Sequence, residues 1–194
     1  MTSTSSLEGG FTDAPVEAAQ SFRKIMNVMA KPGTIEELSI AVPPAPLSTA
    51  AGSLLLTLCD AQTPIYLARK FDNPAIKQWI TFHCNSPFSD AENCMFALGV
   101  WEDLQPLHDF PIGTPEYPDR SATLIVEMDE LTASSTELSG PGIKDTHQLS
   151  LPDVTAFQKN AMLFPLGLDF YFTSGEKIAA LPRTTKVKLS AENV

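Results

Sequence analysis

The chain has 194 residues, 43% of them apolar, with 13 basic side chains against 23 acidic ones and a formal net charge of −10. That length carries one sizeable core without help from a disulfide or a metal, burying roughly 70% of the surface its unfolded chain would expose. The acidity, with only Arg23, Arg69, Arg120 and Arg183 as arginines, excludes the footprint of a nucleic-acid binder, and anionic lipid would repel such a surface.

Residues 1–9 are rich in Ser and Thr and read as a frayed N-terminal tail without a basic, apolar leader, so no secretory signal is expected. Thr12 or Asp13 can cap a first helix, with Pro15 in its first turn. Ala18, Phe22, Ile25, Met26 and Met29 then recur as one apolar stripe, and Lys31-Pro32-Gly33 ends the helix. Prolines between Ala41 and Pro46 predict an extended connection. Thr49 can cap a second helix to about Cys59, which Leu54, Leu55, Leu56 and Leu58 place in the core. Ile65 to Ala68 reads as a short strand, and Asn73-Pro74 opens a helix holding Ile76, Trp79, Ile80 and His83. Met95 to Val100 reads as a buried strand, and Asp103 to His108 as a short helix.

Prolines and Gly113 forbid regular structure from Pro111 to Pro118, and Thr123 to Met128 is the clearest strand. Gly140-Pro141-Gly142 predicts a tight turn, and Asp153 a cap for a last helix through Phe157 to Phe164. Leu168 to Thr173 and Lys177 to Leu181 read as strands joined at Ser174-Gly175, with the chain loose after Lys188. Interleaved helices and strands predict an α/β fold, three layers with helices on both faces, and the closing hairpin makes its sheet mixed. The expected organisation is a single domain over 10–188 and a C-terminal tail at 189–194.

The chemical motifs are sparse. Cys59, Cys84 and Cys94 form no Cys-x-x-Cys pair, which suits a reducing, cytoplasmic setting. His83-Cys84 with Cys94 lacks a fourth metal ligand at a recognised spacing, and Cys59 reads as an inert core thiol. Neither a nucleophile elbow, a P-loop nor a dinucleotide fingerprint is present, and Pro141 removes the N–H that a phosphate nest at Gly140 would need. The strongest candidate is Leu181-Pro182-Arg183-Thr184-Thr185, which sets a guanidinium beside two hydroxyls at a strand end, donors suited to phosphate or carboxylate. The competing reading pairs Arg183 internally with an acidic loop such as Glu116. The stiff loop Gly113 to Arg120 adds Arg120 as a second candidate, against a plain proline-stiffened connection.

Several segments together resemble the H subunit of the carbon–phosphorus lyase core complex, the PhnH family. They are Pro15-Val16, Phe22-Arg23, Met29-Ala30-Lys31-Pro32-Gly33, Leu55 to Leu58 with Thr63-Pro64, and Phe82 to Pro87. Gly113-Thr114, Ala122-Thr123-Leu124, Leu138 to Ile143, Phe164-Pro165-Leu166-Gly167-Leu168-Asp169 and Leu181 to Thr185 continue in the family's order. The resemblance implies a non-catalytic or accessory subunit in phosphonate catabolism. With partner subunits it would support transfer of the ribose triphosphate moiety of ATP to an alkylphosphonate. It implies the fold of the large domain of PLP-dependent transferases but no PLP or other cofactor, docking onto the other subunits, and a homodimer in isolation. No catalytic residue follows from it. Arg183, Thr184 and Thr185, with Arg120, stay as ligand-binding candidates, the alternative being a small phosphonate- or nucleotide-binding enzyme built on Arg183.

Overall fold

The computed structural model describes residues 8–190. Helix α1 spans Ala14–Ala30 with Pro15 in its first turn. Its N-cap is Asp13, but the Glu17 carboxylate supplies the capping oxygen, accepting the N–H of Thr12 at 2.7 Å and of Asp13 at 3.3 Å. The face that enters the core is Ser21, Ile25 and Val28, whereas Phe22 and Met26 of the predicted stripe stay exposed. Two adjacent stripes of apolar residues exist on this helix, and only contact with the sheet decides between them.

β1 (Glu36–Glu37) follows, then α2 (Thr49–Leu58), capped by Ser48, whose Oγ accepts the Ala51 N–H at 3.1 Å. β2 (Ile65–Leu67) leads to α3 (Pro74–Cys84), where Asn73 caps through Oδ1 to the Ile76 N–H at 3.1 Å, as the Asn-Pro pair predicts. β3 (Phe96–Gly99) is followed by two 3-10 turns, Trp101–Leu104 and Leu107–Asp109, where a single short helix is predicted. β4 (Thr123–Glu127), β5 (Thr136–Ser139) and β6 (His147–Leu149) precede α4 (Val154–Ala161), capped by Asp153. β7 (Asp169–Ser174), β8 (Lys177–Leu181) and β9 (Lys186–Leu189) complete the chain.

The main sheet has six strands in the order β1-β8-β7-β4-β3-β2. β2, β3, β4 and β7 run parallel, β8 returns antiparallel to β7, and β1 pairs antiparallel to β8 and so runs with the parallel set, which makes the sheet mixed as the closing hairpin predicts. A second sheet, β6-β5-β9, is antiparallel. The sequence reading misses all three of its strands, since each has only three or four residues, too short a window for its alternation to stand out. It leaves the chain loose after Lys188, yet Leu189 closes β9 and the Ser190 N–H donates to the Ser135 carbonyl at 3.1 Å. At the other end, Glu8 and Gly9 of the expected tail are docked. The Glu8 carbonyl accepts the Trp79 indole N–H at 3.1 Å, and that of Gly9 accepts the Val42 N–H at 2.8 Å. The rest of both expected tails, 1–7 and 191–194, lies outside the described residues.

One face of the main sheet, through Ile65, Leu98, Ile125 and Tyr171, is covered by α1, α2 and α3 with Ile25, Leu54, Leu55 and Trp79. The other face, through Leu124, Val126, Phe170 and Phe172, is covered by α4 and the small sheet with Phe157, Leu138, Leu149 and Val187. Helices thus lie on both sides, but the second layer is one two-turn helix completed by a sheet. Because β4 is buried on both faces, its sequence is a continuous apolar run. Among the described residues, no helix is long and apolar enough to cross a membrane.

The turn between α4 and β7 hangs on the buried Asn160, whose Oδ1 accepts the Leu168 N–H and whose Nδ2 donates to the Leu168 carbonyl, both at 2.8 Å. Asn160→Ala strands both groups, so urea unfolding of this variant should show a loss of about 2–4 kcal/mol.

Candidate functional site

Arg183 sits just beyond β8, beside the starts of β4 and β7. A guanidinium has five N–H donors. Here Nε donates to Asp169 Oδ1 at 3.2 Å, and Nη2 to Asp169 Oδ2 at 2.5 Å and to Ser121 Oγ. Nη1 donates to the carbonyls of Pro118 at 3.0 Å and Pro165 at 3.3 Å. The Arg183 backbone N–H adds a bond to Asp169 Oδ1 at 2.8 Å, and only 11% of the side chain is exposed. The internal pair therefore forms, with Asp169 as the partner and not Glu116. Every guanidinium hydrogen is engaged within the chain, which leaves none for an incoming phosphonate.

The neighbouring candidates do not converge on an open site either. Thr185 is buried, and its N–H closes a turn on the Pro182 carbonyl at 2.9 Å; Thr184 is half-buried beside it. Arg120 stays exposed with its guanidinium 4.0 Å from the centre of the Tyr117 ring. What the structure brings together is three loops. Residues 112–121, 163–169 and 181–185 meet at Arg183, and the Gly167 N–H donates to the Ile112 carbonyl at 3.0 Å. Gly113 holds φ at +83°, and a Cβ there would stand 2.6 Å from the Pro118 carbonyl oxygen, so the loop that presents Pro118 to Arg183 depends on glycine.

In open α/β sheets ligands gather at the opposite edge, where parallel strands end. There the ends of β4 and β7 and the cap of α2 enclose a polar cavity of about 260 Å³, lined by Ser48, Lys70, Glu127, Asp129 and Ser174. Glu127 Oε1 accepts the Ser48 N–H at 2.8 Å, placing a carboxylate against the N-terminus of α2. Burial pushes its pKa above the ordinary carboxylate range, and the Ser48 hydrogen bond offsets part of that rise. The turn after β7 closes the wall, with Ser174 Oγ donating to the Asp129 carbonyl at 3.1 Å and the Ala50 N–H to the Gly175 carbonyl at 2.9 Å. Arg69, next in sequence to Lys70 and in a left-handed conformation (φ 37°), pairs through Nε with Asp103 at 3.1 Å. The sequence reading misses this cavity. Its one signal is Glu127 at the end of the clearest strand with Asp129 just beyond it.

The cysteines do not add a reactive group. Burial pushes Cys84 and Cys94 up to about 12 and Cys59 well above the usual thiol value, the setting of inert core thiols. Among the described residues no group of three or more His, Cys, Asp or Glu could hold a metal ion.

Against known proteins, the family described as "Bacterial phosphonate metabolism protein (PhnH)" matches residues 9–188. The alpha-D-ribose 1-methylphosphonate 5-triphosphate synthase subunit PhnH of Rhizobium meliloti (strain 1021) is 38% identical over 191 residues, covering 93% of this chain and 94% of that protein. The putative C-P lyase subunit protein HtxG of Stutzerimonas stutzeri is 26% identical over 200 residues, covering 94% of this chain and 96% of its own length.

Two outcomes follow from this geometry. Arg183→Met should cost about 2–3 kcal/mol in urea unfolding, at the low end for a buried pair because Asp169 is 25% exposed, and the Asp169→Asn change should add little on top of it. Glu127 binds its proton more tightly folded than unfolded, so its ionisation lowers stability as pH rises from 4.5 through the raised folded value. Glu127→Gln, which keeps the acceptor for Ser48, should raise Tm at about pH 8 and leave it unchanged at about pH 4.

Proposed function

This chain belongs to the PhnH family of bacterial phosphonate metabolism proteins, and from that premise we propose that it is an accessory subunit of a carbon–phosphorus lyase system. With its partner subunits it supports transfer of the ribose triphosphate moiety of ATP to an alkylphosphonate, and it does not carry out that transfer alone. The observation that carries this reading is the state of Arg183. The side chain best suited to hold a phosphonate has all five of its donors inside the fold, and both relatives bear the names of subunits. The reading of a small phosphonate-binding enzyme built on Arg183 loses its anchor for the same reason.

The layered mixed sheet supports the further reading that the fold follows the large domain of PLP-dependent transferases. The residues present do not fit the cofactor. Lys70 is the lysine at the strand-end cavity, but the N-terminus of α2, where a phosphate would be cradled, already receives the Glu127 carboxylate. No step is therefore assigned to PLP. A cytoplasmic setting, and a homodimer when the chain is alone, complete the proposal.

Incubation of the purified chain with ATP and methylphosphonate should release no adenine, whereas the coexpressed set of subunits should release it, and should stop doing so when this chain is left out. Adenine release by the chain alone would contradict the accessory role.

A further inference from the structure

Away from the Glu127 cavity, the described surface carries a run of consecutive apolar side chains that the fold does not use. α4 ends at Ala161, three residues short of the expected end, and the next three residues, Met162, Leu163 and Phe164, turn outward with exposures of 77%, 45% and 60%. A run of three exposed large apolar residues in a turn is disfavoured in a soluble protein unless something covers it. The helix that carries this tip is flanked by two grooves. One, of about 620 Å³, lies between α4 and the 105–112 segment and includes Leu107, Phe110 and Leu163. The other, of about 570 Å³, lies between α4 and β9 and includes Met162 and Val187.

Charge selects what fits there. Lys159 lines both grooves, Lys186 lines the second, and no carboxylate lines the second, on a chain with ten more acids than bases (23 − 13). The carboxylate in the first groove, Asp153, is engaged in capping α4, its Oδ1 accepting the Ala156 N–H at 3.0 Å. Lysines on β9 could serve only to discourage edge-to-edge strand pairing. That purpose leaves the Met162-Leu163-Phe164 tip unexplained, because the tip is outside any strand. A second copy meeting this face with the same face would set Lys159 and Lys186 against their own counterparts, so a homodimer has to use another surface. A nucleic acid would meet the lysines but not the apolar tip.

We propose that the α4–β9 face is the surface by which this chain docks onto another subunit of its complex, through an apolar segment of that subunit bordered by carboxylates. This rests on the reading of the chain as a subunit. Met162 and Phe164 insert as the anchors, and Lys159 and Lys186 pair with the acidic border.

The test coexpresses the tagged chain with the other subunits of the phosphonate-processing complex and measures assembly of the purified components. Two double variants are compared with wild type, Met162→Asp with Phe164→Ser, and Lys159→Glu with Lys186→Glu. All four side chains belong to the surface turn, the helix or the edge strand around the grooves, and thermal melts confirm the fold of each variant before assembly is measured. The first variant should weaken assembly by at least about tenfold, and the second should weaken it and flatten its dependence on salt. Phe22→Ser with Met26→Ser, on the exposed side of α1, should assemble as wild type does. If wild type brings down no other subunit, the reading as a subunit fails. If wild type assembles and both groove variants assemble equally well, or the α1 variant is the one that fails, the docking face is overturned while the subunit reading stands. The face is likewise overturned if the groove variants only dissolve a homodimer of the isolated chain.

Discussion

The contact on which the rest depends is the pair between Arg183 and Asp169. One guanidinium ties the start of β7, the loop before β4 and the turn after α4 to the end of β8, and it does so with a carboxylate, a hydroxyl and two carbonyls. A partly buried cation with every donor satisfied is a stable arrangement, and removing any partner leaves charge or polar hydrogen without water. The same satisfaction is what supports reading Arg183 as a brace and not as a ligand-binding residue. The two most distinctive motifs of the chain, Phe-Pro-Leu-Gly-Leu-Asp and Leu-Pro-Arg-Thr-Thr, are then two halves of one brace. Asp169 comes from the first and Arg183 from the second.

Other motifs that carry the family resemblance are explained in the same structural way. Gly142 approaches the end of α1 so closely that a Cβ would stand 2.0 Å from the Ala30 carbonyl oxygen, and His147 Nδ1 lies 2.9 Å from the Pro32 carbonyl. The Met-Ala-Lys-Pro-Gly segment is therefore the seat on which the β5–β6 hairpin rests. Family membership is written in contacts that fix how the small sheet and α4 sit on the main sheet, and that layer carries the exposed tip of α4.

Much of the fold was legible in the sequence, and the failures have physical causes. The buried α2, the Asn73 cap, the β4 run and the β7–β8 hairpin all follow from local pattern and turn chemistry. β5, β6 and β9 are too short for their alternation to stand out, and the β5–β9 pairing joins residues as distant in sequence as Thr136 and Leu189. On α1, the predicted stripe was right at Ile25 and Met29 and wrong at Phe22 and Met26, which stay exposed while Ser21 and Val28 enter the core. In the candidate site, the importance of Arg183 was legible but its partner was not, since Asp169 lies 14 residues earlier in sequence and becomes adjacent only through the β7–β8 hairpin. The Glu127 cavity gave no motif, because it is assembled from the ends of separate strands and the cap of a helix.

A braced interior, a carboxylate in the place where an anion would sit and a solvent-facing apolar tip between grooves lined by Lys159 and Lys186 together describe a protein that works through its surface. Hydrogen–deuterium exchange, comparing the isolated chain with the same chain in the assembled complex, tests that most directly. New protection should fall on residues 155–164 and 186–189, with the loops around Arg183 and the Glu127 cavity unchanged. Protection centred instead on those loops or that cavity on addition of ATP or methylphosphonate to the isolated chain would contradict it.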